Sequence, residues 1–452
     1  MFQSTLLYKS FKTYILIGSL LYLLLFAYWY NFISVYNLLN VAVFASYAGI
    51  LCYSCNKPDS FYTSNRLCLS VLLYSIVLVS SYMMMSDYYT GNTFLFSTND
   101  ARLYEKYSFH MKDLSFEEAF SYISKILNYE DWGAPMTMAF ILKIIPSKIF
   151  LNFCYVIMNL ISAFCLFDIA KSMMSKQYAF IAVLTYSISS YALYFCGTFL
   201  KEEIMLFGVI LSFFFFYRYW HSKKLFYALG AIIAAVYIVF FRPAILLFLL
   251  ASFFSLLLLG EKSNIKVMFF FLILILAFVG GIALIQTAAD KYIAGGNVDE
   301  TYMFKNTTLF QKVVISIGAI LGPFPELLQV TETLRKVPLY GAGLLLKFVL
   351  FFAFWKGAIY AIRSRAVEIY PLLVFSLLET FALVLVFELE LRKFLPHIPF
   401  YILLAFWYLD KYDQDADESI RKTPYYIWSN REFNVCMFLV FVICLFWNIL
   451  KV

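Results

Sequence analysis

The sequence predicts an all-α protein that crosses a membrane many times. Three observations predict it. Of 452 residues 63% are hydrophobic and only 14% are charged, where a soluble domain has about 45–50% apolar and about 25% charged residues. The mean hydropathy is +0.79. The apolar residues fall into about 12–13 runs that reach, or nearly reach, the length of about 20 residues needed to cross a bilayer. A soluble core of this size splits into domains before it can hide so much apolar surface. Disordered, collagen-like and disulfide-stapled classes are excluded on the same grounds.

Taken in order, the runs are 14–30, 34–54, 67–86, 149–170, 178–199, 204–217, 225–241, 243–260, 267–286, 342–362, 369–387, 395–409 and 433–450. The first follows Lys9 and Lys12 and could imitate a signal peptide. It lacks a small-residue cleavage site, so an uncleaved span is expected. Runs 204–217 and 395–409 are short and are expected to borrow flanking residues or to sit in thinner bilayer. No repeat and no separate soluble domain stand out, so residues 1–452 read as a single transmembrane domain.

Basic residues in short loops set orientation. With the amino end inside, Lys57 and Arg66, Lys171 and Lys176, Arg218 with Lys223 and Lys224, Lys262 and Lys266, and Arg363 and Arg365 all fall in cytoplasmic loops, together with 410–431. The net charge of +7 is therefore a topology signal, and no nucleic-acid partner is expected. Two long polar segments, 87–148 and 287–341, then face outward. The first holds an amphipathic stretch, Phe116 to Leu127, with Phe116, Ala119, Phe120, Ile123 and Leu127 at helical spacing. Ser115 and Glu118 form a capping-box pattern at its start. This helix is expected to lie flat at the interface, apolar face down. Segment 310–329 is apolar but broken by Gly318, Gly322, Pro323 and Pro325. It reads as a re-entrant piece, tolerated only where protein or a cavity covers its backbone.

The eight cysteines lie mostly inside apolar runs. Cys52 and Cys55 form a CxxC with no second pair or histidine to complete a metal site, so a structural role is expected. The tail residues Asp413, Asp415, Asp417 and Glu418 read as a solvated cytoplasmic loop. Glu379, inside the eleventh run, is expensive in lipid, and a structural pair with Lys347 or Lys356 is expected. Those lysines could equally snorkel. Glu326, at a stiff external turn, is a candidate lining for an acceptor groove. His110 and His221 carry no pattern.

The remaining charges gather at the outward ends of spans: Asp100, Lys201-Glu202-Glu203, Arg242, and Glu388, Glu390, Arg392 and Lys393. For any one of them a solvated helix end is an equally good explanation. The Lys-Glu-Glu run is the exception, because the loop there is nearly absent and three charges sit between apolar helices. Arg242 lies in a similar tight turn before Pro243, a residue suited to a helix start. Carboxylates beside cations at a membrane surface suit transfer from a lipid-linked phosphate donor. A carboxylate takes the proton of an acceptor hydroxyl, and Arg and Lys hold the phosphate as it leaves.

At these residues the chain resembles GT-C-type integral membrane glycosyltransferases. Asn99-Asp100-Ala101-Arg102-Leu103-Tyr104 is similar to the Asp-x-x-x-Tyr motif of their first external loop, and Asp131-Trp132-Gly133-Ala134-Pro135 to the Gly/Pro segment that follows. Gly197 to Glu203 resembles the Leu-Lys-Glu turn of bacterial members. Leu391-Arg392 through Pro396 and Pro399 resembles their late Arg-x-x-x-Pro segment. The likeness covers roughly 95–260. It implies Asp100 as base, Glu202 or Glu203 as a second acidic residue and candidate ligand of a divalent metal, and a polyprenyl-phosphate-linked sugar donor. Lys201, Arg242, Arg392, Tyr104 and His397 are the candidate phosphate- and substrate-binding residues. The acceptor would be a lipid-linked glycan or cell-surface polysaccharide, on the non-cytoplasmic side of the cytoplasmic membrane. Three apolar runs precede Asp100, where many members have one, and no soluble carboxy-terminal domain follows. Both features also suit oligosaccharide repeat-unit polymerases of the Wzy or EpsG type. From another class, a lipid-linked glycan transporter is the alternative; its polar site is expected near the midplane on broken helices in repeated halves.

Overall fold

The computed structural model describes residues 6–28, 35–55, 57–91, 99–259, 318, 320–328, 339–385, 391–417 and 430–450. Among them the chain is helical, with no strand. The first part comprises α1 (Leu6–Tyr28), α2 (Val35–Cys55), α3 (Ser64–Thr90), α4 (Asn99–Met111), α5 (Phe116–Ile126), α6 (Gly133–Ile144), α7 (Lys148–Lys171), α8 (Lys176–Ser187), α9 (Ser190–Cys196), α10 (Lys201–Ser222), α11 (Leu225–Ile238) and α12 (Pro243–Leu259). After it come α13 (Gly341–Val349), α14 (Phe351–Ser364), α15 (Tyr370–Leu385), a 3-10 turn Leu391–His397, α16 (Ile398–Asp417) and α17 (Asn430–Leu450). Run 267–286, Glu388, Glu390 and most of 287–341 lie outside the described residues.

Seven described helices are long and apolar enough to cross a membrane, and nine spans result if each of two bent pairs counts as one. The protein is an all-α polytopic membrane protein. Helices apolar on every side are buried on every side: α13, α8 from Tyr178 onward and α16 up to Leu409 form the interior. α1, α2, α3, α7, α11 and α17 surround them, and Leu23, Tyr53, Val77, Phe226, Ile233 and Phe438 remain exposed on their outer faces. Those side chains face what would be lipid.

Two apolar runs are not single helices. Run 178–199 bends by 50° between α8 and α9, and run 342–362 bends by 44° between α13 and α14. Neither bend is marked by proline, so periodicity could not reveal it. A break in a membrane helix frees backbone groups that must find partners. At the first break Asn159 donates to the Ser187 carbonyl at 2.9 Å, Tyr47 to the Thr185 carbonyl at 2.6 Å, and the Ser189 hydroxyl accepts from Ala192 N–H at 3.1 Å. Gly343 N–H reaches the Ser190 hydroxyl at 3.0 Å, and a Cβ on Gly343 would lie 2.9 Å from the Tyr191 nitrogen. Only glycine admits that approach.

Residues 318 and 320–328, the described part of the broken apolar segment, meet the same requirement. Asn448 on α17 accepts from Leu327 N–H at 2.8 Å and donates to the Pro325 carbonyl at 2.9 Å. Asn40 on α2 donates to the Leu327 carbonyl at 3.2 Å. Lys347 on α13 donates to the carbonyls of Leu321, at 2.8 Å, and Gly322. This corrects the expected pairing of Glu379. Lys347 is occupied by carbonyls, and Lys356 reaches Glu432 at 3.3 Å.

Two further expectations change. The tail stays helical to Asp417, and Asp410 is buried, accepting from Ser175 N–H at 2.9 Å, the Ser175 hydroxyl at 2.8 Å and Gln414 at 2.9 Å. Run 395–409 ends at this buried carboxylate, while the helix continues through the polar residues that follow it. The capping box Ser115–Glu118 forms as expected. The helix it starts, however, does not rest its whole apolar face on the membrane. Ala119 and Ile123 pack on Met111 and Ala139, while Phe116 and Phe120 stay exposed.

Replacing Asn448 by alanine removes both bonds to the re-entrant backbone. An unpartnered buried polar group costs about 1–3 kcal/mol. Asn448→Ala is therefore expected to lower the melting temperature of the detergent-purified protein clearly, and an exposed control on the same helix, Arg431→Ala, to leave it within error.

Candidate functional site

The site forms where four chain segments end on one side of the bundle. Asp100 lies in the first turn of α4, and Glu202 and Glu203 in the first turn of α10, positions where the helix dipole favours a carboxylate. The turn into α10 is unusual. Phe199 has φ 52°, a left-handed conformation that costs a bulky residue about 1–3 kcal/mol and is found mostly at functional sites. Arg242 occupies the turn between α11 and α12, and Arg392 the 3-10 turn before α16.

These residues meet. The Arg392 Nη1 lies 2.5 Å from Asp100 Oδ2, across 292 positions of sequence. Arg392 Nε and Arg242 Nη2 approach the same Glu202 oxygen at 3.8 and 3.7 Å. The Glu202 side chain is 0% exposed, and neither of its oxygens makes a hydrogen bond. An ionised carboxylate in that position is held by charge alone, between two guanidiniums just beyond hydrogen-bond distance. Buried polar atoms without partners call for a ligand or water to complete them. Asp100, by contrast, is 43% exposed and reaches solvent.

Lys201 turns to a second carboxylate. Its ammonium lies 2.5 Å from Asp131 Oδ1 and 3.3 Å from the Glu130 carbonyl. Tyr104 donates to the same Asp131 oxygen at 2.9 Å. Burial first, and the Asp131 charge next, push the Tyr104 hydroxyl well above its ordinary pKa, so it stays a proton donor. Asp131 belongs to a turn fixed on the Arg242 segment: Gly133 N–H bonds to the Phe240 carbonyl at 2.9 Å, and the Trp132 and Phe240 rings stack at 6.5 Å. A Cβ on Gly133 would stand 2.4 Å from the Phe241 ring. The unit formed by α4 to α6 is tied down elsewhere by Glu105 to Lys148 at 2.5 Å and by the Ser108 hydroxyl to the Pro135 carbonyl at 3.1 Å.

Six of the eight candidate residues are thus gathered: Asp100, Glu202, Lys201, Arg242, Arg392 and Tyr104. Two are not. Successive helix residues point about 100° apart, and Glu203 turns inward, buried beside Cys196. His397 turns into the core, with its ring 5.9 Å from Phe394 and 6.4 Å from Tyr401. Asp131 is the member that sequence reasoning missed. Its signal was the acidic residue in Asp-Trp-Gly, read only for its glycine. Glu379 lies within electrostatic reach of Arg242, and this, rather than either lysine, is its charged surrounding.

The donor set tests whether a divalent metal fits. Among the described residues no three His, Cys, Asp or Glu side chains gather as ligands. The carboxylate with free valences, Glu202, faces two guanidiniums that repel a dication. The described residues of the site do not fit a metal; Arg242 and Arg392 supply the positive charge themselves.

No protein-family model matches the chain, and no curated protein matches it. Solved structures do. It is similar to the archaeal oligosaccharyltransferase AglB from Archaeoglobus fulgidus in complex with an inhibitory peptide and a dolichol-phosphate, at 13% identity and TM-score 0.42, covering 84% of this chain and 56% of that one. The apo form of the Archaeoglobus fulgidus enzyme gives 13% identity, TM-score 0.43 and the same coverage. The form tethered to an acceptor peptide containing the NVT sequon gives 12%, TM-score 0.42, and 86% of this chain against 56% of that one. The chain spans little more than half the length of these structures.

The docked turn yields a test. Gly133→Ala forces Phe241 aside, and overpacking costs about 1–3 kcal/mol. The variant is expected to melt earlier than the parent, with Phe241→Ala in the same chain restoring part of the loss.

Proposed function

We propose that the chain is an integral membrane glycosyltransferase that moves a sugar from a polyprenyl-phosphate-linked donor to a lipid-linked glycan or cell-surface polysaccharide on the external face of the membrane. The observation that carries this reading is the buried Glu202 carboxylate between Arg242 and Arg392, with the solvent-reaching carboxylate of Asp100 on the same arginine. A cluster of this composition handles an anionic leaving group and a proton together.

In the reaction the acceptor hydroxyl attacks the anomeric carbon of the donor sugar. The new C–O bond forms as the bond to the phosphate oxygen breaks, and its electron pair leaves on the phosphate. Arg392 and Arg242, with Lys201 beside them, stabilise that growing charge in surroundings where few waters compete. Asp100 accepts the proton of the hydroxyl. Glu202 keeps the two guanidiniums aligned, and Tyr104 with Asp131 holds the Lys201 ammonium. A polyprenyl phosphate is a good leaving group without protonation, so the site needs no general acid. The gathering of these charges at one end of the bundle also favours an enzyme over a transporter, whose site would sit deeper.

Asp100→Asn is expected to abolish glycan product while expression and insertion stay normal; full activity would remove Asp100 from the mechanism. Lys201→Ala and Arg242→Ala are expected to weaken donor binding, each by about tenfold or more for the loss of a charge-assisted contact. The substrate itself is decided by supplying purified protein with a monosaccharide–phosphate–polyprenol or an oligosaccharide–pyrophosphate–polyprenol. Consumption of the first is expected; consumption of the second alone would make the protein a repeat-unit polymerase.

A further inference from the structure

Every cation of the site is already matched to a carboxylate. Lys201 lies 2.5 Å from Asp131, Arg392 lies 2.5 Å from Asp100, and Arg242 and Arg392 flank Glu202 at 3.7 and 3.8 Å. Among the described residues these three positive and three negative side chains offset one another. An anionic phosphate that takes up the edge of Arg392 facing Asp100 must take the place of that carboxylate.

The three carboxylates are not equally replaceable. Glu202 is fully buried between two arginines, and its departure would leave two guanidiniums facing each other. Asp131 accepts from Lys201 and from Tyr104, on a turn fastened to Phe240. Among the described residues Asp100 pairs with Arg392, and it is 43% exposed. Reaching solvent already, it can rotate into water with less loss than either of the others. The guanidinium fork accepts carboxylate and phosphate oxygens with the same geometry.

We propose that the donor phosphate displaces Asp100 from Arg392, and that this exchange is what frees the carboxylate to take the acceptor's proton. The inference rests on the function proposed above and adds an order of events to it. In the resting protein Arg392 occupies the base. In the loaded protein Arg392 binds phosphate, and Asp100 is released beside the sugar it serves. Base and donor are then engaged together, and the carboxylate is withheld while the site contains no donor.

The test is a binding cycle with farnesyl phosphate as probe, measured by titration calorimetry on the full chain in detergent. Asp100→Asn removes the internal competitor and is expected to tighten binding about tenfold, equivalent to about 1.4 kcal/mol, although the same variant makes no product. Arg392→Gln is expected to weaken binding, and adding Asp100→Asn to it to change affinity less than twofold. Arg392→Met, uncharged and of similar length, is the second variant if the glutamine form does not fold. Unchanged or weaker binding by Asp100→Asn overturns the proposal. An equal gain with and without Arg392 also overturns it, since that is a general charge effect. If Arg392→Gln binds as tightly as the parent, the assignment of Arg392 to phosphate fails, and the exchange falls with it; if Arg392→Gln weakens binding but Asp100→Asn gains nothing, the exchange alone fails.

Discussion

A carboxylate that neither water nor a hydrogen bond reaches has to be held by charge, and Glu202 is held by two arginines from separate turns of the chain. Burying one ion costs several kcal/mol even after relaxation. Losing either guanidinium would expose that cost, so the positions of Arg242 and Arg392 are bound to the first turn of α10. The rest of the site follows from this pairing. The strained Phe199 turn aims Glu202 between the arginines. The Asp131–Gly133 turn is fastened to the segment that carries Arg242. Arg392, brought to Glu202, is also brought to Asp100.

The membrane imposes a second demand, on the backbone. Two helix pairs bend, and freed backbone groups at the first bend and along 320–328 are met by buried side chains: Asn159, Tyr47 and Ser189 at the one, Asn448, Asn40 and Lys347 at the other. These residues lie on helices far apart in sequence, so the polar groups that permit irregular backbone also fasten the interior together. The interior helices α8, α13 and α16 are thereby a fixed frame. The charged ends of α10 and of the turn before α16 are carried on that frame rather than on free loops.

The sequence made the helices legible because a span must be apolar over its length, and almost every described helix lies under a run. It did not reveal the bends, since Ile188-Ser189 and Leu350 carry no proline or glycine. Nor did it reveal Asp410, whose burial depends on Ser175, 235 positions away. The site was legible for a similar reason: charges at span ends share a depth whatever their sequence separation. Depth, however, is only one coordinate. Glu202 and Glu203 share it and point to different surroundings, and His397 shares it with Arg392 yet turns inward. Asp131 needed a third piece of information, that its turn folds back onto the start of α12.

The site depends on the turn before α16 meeting α4 at Asp100 and α10 at Glu202. The most direct measurement is oxidative cross-linking in membranes of a cysteine-free chain carrying Asp100→Cys and Arg392→Cys. The account predicts a rapid, high-yield intramolecular disulfide, while a second chain carrying Asp100→Cys and His221→Cys gives none. No cross-link between positions 100 and 392, in a protein that inserts normally, would contradict it.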